Sequence, residues 1–121
     1  MSVLGYLAIV SAETDDDIEQ GLKILHKCSN AGDWGSTSLL GGVYQMGTSV
    51  PIDYAKAWAY YTKAIEQGSV SALTNKGMMA VQGLGVKKDI ELGRKFFTEA
   101  HERGSTTAKE WLEKLERLDD I

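Results

Sequence analysis

Apolar and small residues recur in matched columns 36 positions apart: Gly21, Ala57 and Gly93; Ile24, Tyr60 and Phe96; Leu25, Tyr61 and Phe97; Cys28, Ala64 and Ala100. Inside each copy the later columns follow the first by three, four and seven residues, which puts them on one stripe of a helix with polar residues on the other side. Asp17, Asp53 and Asp89 precede these stripes, where an N-cap carboxylate would accept orphan backbone N–H groups. Gly32, Gly68 and Gly104 follow them, where a helix ends in the left-handed conformation. The pattern predicts three like helices, with small residues at the first and last columns to admit a neighbouring helix.

A second helix type lies between them. Ser36 to Asp53 reads STSLLGGVYQMGTSVPID and Ala72 to Asp89 reads ALTNKGMMAVQGLGVKKD, so that Gly41 aligns with Gly77, Gly47 with Gly83 and Val50 with Val86. Gly47 and Gly83 are expected to end this helix, the two valines to return to the core, and Pro51 is tolerated in the connector. Each unit therefore reads helix, glycine-bearing loop, helix, turn. A fixed period of this length marks a solenoid, in which a unit buries its apolar face by stacking on its neighbours. Subtracting the period from Leu40 and Gly41 reaches Leu4 and Gly5, so the opening MSVLGYLAIV reads as the first helix of a further unit.

The run GLGVKKD, followed by an alanine- and aromatic-rich helix ending in IEQG or HERG, resembles the Sel-one-like repeat, a relative of the tetratricopeptide repeat. The resemblance covers nearly the whole chain. It departs from the family pattern at Lys76, where the family usually has Leu, and at Thr48-Ser49, which replaces the second loop glycine. It implies an all-α fold, an α-solenoid of antiparallel helix pairs. About three repeats are expected in one domain, residues 1–32, 33–68 and 69–104, closed by a capping helix at 105–121. In that last helix Ala108, Trp111, Leu112, Leu115 and Leu118 form one stripe, and Trp111 is expected to close the C-terminal core.

Composition narrows the function classes. Thirteen basic and seventeen acidic side chains give a net charge of −4 without a block of Lys or Arg, which argues against nucleic acid as a partner. No apolar run approaches the ~20 residues that span a bilayer. A single cysteine, Cys28, cannot form an internal disulfide, so the chain lacks the cysteine pairs of the disulfide-rich secreted members of that family. A cytoplasmic location is expected; a periplasmic one is the alternative if the apolar opening segment derives from a signal. No Cys-x-x-Cys, His-Glu-x-x-His or phosphate-cradling loop is present, and His26 and His101 are expected at the surface without metal-ligand spacing. No enzymatic activity, metal or cofactor is expected.

What remains is recognition of another protein or peptide. In the related tetratricopeptide fold the first helix of each pair lines a concave groove, and the resemblance carries that role to Gln45, Met46, Thr74, Met78, Val81 and Gln82, whose methionines can adapt to an apolar guest. Trp34 and Trp58 share columns with Val70 and Thr106 and with Leu22 and Arg94, so neither column is strictly a core one, and both are candidate binding residues. Tyr6, Ile9 and Val10, on an opening helix without charge, are candidates for self-association into a homodimer. The reading is a non-enzymatic adaptor or scaffold. Two alternatives stay open: an immunity-type protein that occludes a toxin, and a small-molecule binder by analogy with family members connected to peptidoglycan.

Overall fold

The computed structural model describes residues 15–47 and 50–119. Among them it contains six α-helices and no strand: α1 (Asp15–Asn30), α2 (Trp34–Met46), α3 (Tyr54–Glu66), α4 (Val70–Gln82), α5 (Ile90–Glu102) and α6 (Thr106–Asp119). The fold is all-α, with α2 and α4 as first helices of a pair and α3 and α5 as second helices.

The helix ends follow the repeat. The carboxylates of Asp53 and Asp89 accept hydrogen bonds from the backbone N–H of Lys56 at 3.1 Å and of Leu92 at 3.0 Å. Asp17 differs from its expected role as a cap: α1 already includes Asp15 and Asp16, so Asp17 lies within the helix. After α3 the Gly68 N–H donates to the Ile65 carbonyl at 3.0 Å and the Ser69 N–H to Ala64 at 2.9 Å. The same bond pair recurs at Gly32 and Asp33 and at Gly104 and Ser105, and the three glycines have φ of +96°, +111° and +100°. This is the Schellman arrangement, which a left-handed glycine completes at little cost. The residue after the glycine then caps the following helix: Asp33 accepts from the Gly35 N–H and Ser105 Oγ from the Ala108 N–H, both at 3.1 Å.

Two compact units divide after Ser69. In the first, α2 packs against α1 and α3. Its core contains Leu25, Leu40 and Val43, with Leu22, Leu39, Val50 and Tyr60 partly buried against them. Tyr61 of α3 lies against Gly41 so closely that a Cβ there would be 2.5 Å from the ring. In the second, α5 packs against α4 and α6, and Phe97 meets Gly77 in the same way, at 2.6 Å. Trp111 stacks on Phe97 with ring centroids 5.4 Å apart. The two aromatic columns therefore differ. Leu25, Tyr61 and Phe97 are buried, while Ile24, Tyr60 and Phe96 are half-buried.

Candidate protein-interaction surface

In α4, Ala72, Leu73, Thr74, Lys76, Gly77, Met79, Ala80 and Val81 are buried, so this first helix is enclosed on most of its circumference. Along its body only Ser71, Asn75, Met78 and Gln82 keep substantial exposure, and their spacing of four, three and four puts them on one narrow stripe. Ser71, Thr74, Asn75 and Met78 line a depression of about 150 Å³ that Ser105 and Thr107, at the start of α6, complete. Thr74 forms its floor, only 4% exposed, with a hydroxyl contact to Ser105 at 3.1 Å. The lining carries hydroxyls, one amide and one thioether, and no ionisable group.

Val81 points inward. A Cβ on Gly93 of α5 would strike its Cγ2, so it packs between helices and has no free face to offer a partner. The single-stripe pattern misses Asn75, which one turn of α4 places beside Ser71 and Met78. Gln82 is exposed at the end of the stripe.

The first unit repeats part of this geometry. Ser38 Oγ lies 3.0 Å from Ser69 Oγ, one period before the contact of Thr74 with Ser105. Gln45 is engaged internally, since the Tyr61 hydroxyl donates to its Oε1 at 2.7 Å. Burial pushes the Tyr61 pKa up to about 12, which keeps that hydroxyl a donor. One period later the same two positions are Val81 and Phe97, a hydrocarbon pair in place of a hydroxyl–amide pair. Met46 is 72% exposed and Trp34, at the start of α2, 49% exposed. Trp58 is half-buried on the second helix α3. Of the expected binding residues, Trp34, Gln45, Met46 and Trp58 belong to the first unit and Thr74, Met78, Val81 and Gln82 to the second. Tyr6, Ile9 and Val10 lie outside the described residues.

His26 departs from the expectation of a surface histidine. It is half-buried with its ring 5.9 Å from Tyr60, while His101 is exposed. Burial, then the positive charges of Lys63 and Lys56, hold its pKa below the ordinary value. Cys28 is half-buried, whereas Ala64 and Ala100 in the same column are fully buried. Lys76, the departure from the family pattern, is only 7% exposed and lays its Nζ 4.9 Å from the centre of the Phe96 ring, a favourable cation–π placement. A larger hollow of about 340 Å³ runs along α5 beside Glu91, Arg94, Lys95, Thr98, Glu99 and Glu102. Its charges compensate each other along the helix, with Arg94 3.5 Å from Glu91 and Arg103 2.9 Å from Glu99. Among the described residues no group of three or more His, Cys, Asp or Glu side chains could hold a metal ion.

The Sel1 repeat model matches residues 36–69 and 70–105, more than half of the chain. The chain belongs to the Sel1 repeat family. Solved structures agree in fold. A Sel1 repeat protein from Oxalobacter formigenes aligns with a TM-score of 0.80 at 27% identity, over 93% of this chain and 46% of the other. A protective antigen present in uropathogenic Escherichia coli strains, displaying an SLR fold, aligns with a TM-score of 0.77 at 34% identity, over 88% of this chain and 23% of its own. Helicobacter pylori cysteine rich protein B aligns with a TM-score of 0.73 at 27% identity, over 90% and 81% of the two chains. The chain thus spans less than half the length of the first two. Sel1 repeats are in general protein-interaction modules without catalytic machinery. No helix among the described residues is long and apolar enough to cross a membrane.

Proposed function

We propose that this Sel1 repeat chain is an adaptor that binds a peptide or helix of a protein partner through the faces of its first helices, with Met78 as the central contact of the second unit. The observation that carries this reading is the exposed stripe of α4. On a helix otherwise enclosed by its neighbours, Ser71, Asn75 and Met78 stay accessible and line a depression with Ser105 and Thr107. Small-molecule clefts run from about 300 to 1,000 Å³, so a hollow of about 150 Å³ suits one inserted side chain better than a whole ligand. The uncharged lining matches that guest: the thioether contacts apolar atoms, and hydroxyls and amide serve the polar backbone around it. In the first unit the exposed Met46 occupies the position one period before Gln82 and offers a similar contact.

A photocrosslinking residue placed at Met78 tests the reading in lysate of the source cells. It is expected to trap a discrete protein, whereas the same residue at Glu102, exposed at the end of α5, traps none. Equal trapping from both positions, or none from Met78, removes the first-helix face as the binding surface.

A further inference from the structure

The two best repeats serve as internal controls for each other. They share their caps, their Schellman turns and the aromatic ring set against a helix glycine. A position where they differ sharply is therefore one that packing does not dictate. Several such differences gather in one place. Where the second unit has Leu92, Glu99 and Ala80, the first has Lys56, Lys63 and Tyr44, and His26 stands one period before Thr62.

These residues meet around Tyr60. Tyr44 stacks on Tyr60 with centroids 5.7 Å apart, His26 tilts against it at 5.9 Å, and Lys56 Nζ lies 5.0 Å from the centre of the Tyr44 ring. Lys63, two turns along α3 from Lys56, donates to Asn30 Oδ1 at 3.1 Å. Among the described residues neither lysine forms an ion pair, whereas Glu99, the counterpart of Lys63, is bridged to Arg103. We propose that Lys56, Tyr60 and Lys63, with Tyr44 and His26 beside them, form a second docking surface that takes an acidic segment of a protein partner. The two ammonium groups supply complementary charge, the phenol rings cover the stems of Glu or Asp side chains, and the phenol hydroxyls donate to their carboxylates. The His26 pKa is lowered first by burial and then by the charges of Lys63 and Lys56, and the latter two contributions agree with a shared positive potential at this spot. A nucleic acid fits less well, because a polyanion meets the net charge of −4 and finds only two lysines here.

This surface centres on α3, with Tyr44 of α2 and His26 of α1 beside it, and shares no residue with the first-helix face built on Met78 and Met46, so the two readings fail separately. The test is fluorescence anisotropy of the full chain with a short labelled Glu-rich peptide and its Gln counterpart. The Glu peptide is expected to bind, more weakly as salt rises, and the Gln peptide not to bind. The Lys56→Gln/Lys63→Gln double variant is expected to lose about tenfold in affinity. Lys87→Gln/Lys88→Gln removes the same charge from two exposed loop positions and is expected to bind like the wild type. A second variant, Lys56→Leu/Lys63→Glu, installs the residues that the second unit already accommodates and is expected to abolish binding while circular dichroism stays unchanged. Absence of binding, equal binding of both peptides, an equal loss in the Lys87/Lys88 variant, or heparin displacing the peptide and binding tighter than it would each overturn the proposal.

Discussion

Two adjacent glycines of α2 should respond in opposite directions to the same substitution. A Cβ at Gly41 would lie 2.5, 2.7 and 3.0 Å from Cε1, Cδ1 and Cζ of Tyr61, against an unstrained carbon–carbon separation of about 3.5–4.0 Å. The ring has to retreat by about 1 Å to restore that contact. It has little freedom to do so, being 2% exposed and held to Gln45 through its hydroxyl. Overpacking of this kind costs about 1–3 kcal/mol, and strain on the hydroxyl contact adds up to about 1 kcal/mol. The gain in helix propensity returns about 0.5–1 kcal/mol, so Gly41→Ala is expected to destabilise by about 1–2 kcal/mol. At Gly42 the nearest atom to an added Cβ is the Tyr61 hydroxyl at 3.9 Å, ordinary contact distance. Only the propensity term remains, and Gly42→Ala is expected to stabilise by about 0.5–1 kcal/mol. Urea denaturation followed by far-ultraviolet circular dichroism measures both through the shift of the midpoint at constant slope. A Gly41→Ala protein as stable as the wild type, or both variants moving in the same direction, would refute the packing argument.

Asp89→Ala removes a carboxylate that accepts the Leu92 N–H and is expected to cost about 1 kcal/mol in the same assay, with Asp89→Asn restoring most of it. Tyr61→Phe deletes the donor to Gln45 and is expected to cost about 0.5–1.5 kcal/mol; no loss would show that Gln45 is satisfied by water instead. Because the folded pKa of His26 lies below its value of 6.5 in the unfolded chain, the unfolded chain binds more protons as pH falls below 6.5, and stability falls with it. His26→Gln is therefore expected to flatten the dependence of Tm on pH between about pH 7 and about pH 5, and an unchanged slope would contradict that assignment.

Period alone locates most of the frame. The 36-residue register predicts the caps at Asp53 and Asp89, the left-handed glycines and the helices they bound, because each is a local rule that one residue type satisfies. A second cap column, Asp33, Ser69 and Ser105, stands in the same register directly after the terminal glycines, and Asp33 and Ser105 cap α2 and α6. The binding face is harder to extract. A one-stripe reading of α4 places Thr74 and Val81 outward, but a first helix is flanked on more than one side, so these columns are buried and Asn75 takes the outward position. Gln45 reads as an exposed polar residue until Tyr61, sixteen residues away, supplies its partner. The group of His26, Tyr44, Lys56 and Tyr60 draws on three helices, and no local spacing in the chain brings them together.

The account rests on the first-helix face, and the most direct measurement is a quantitative pull-down from native lysate with wild type and Met78→Glu as baits. Met78 is half-buried at the edge of the depression, so a carboxylate can reach solvent there and the fold is expected to survive, as circular dichroism would verify. The account predicts that one protein recovered by the wild type is lost from the variant, because a charge placed in an uncharged side-chain hollow opposes an apolar guest. Equal recovery of that protein by both folded baits would contradict it.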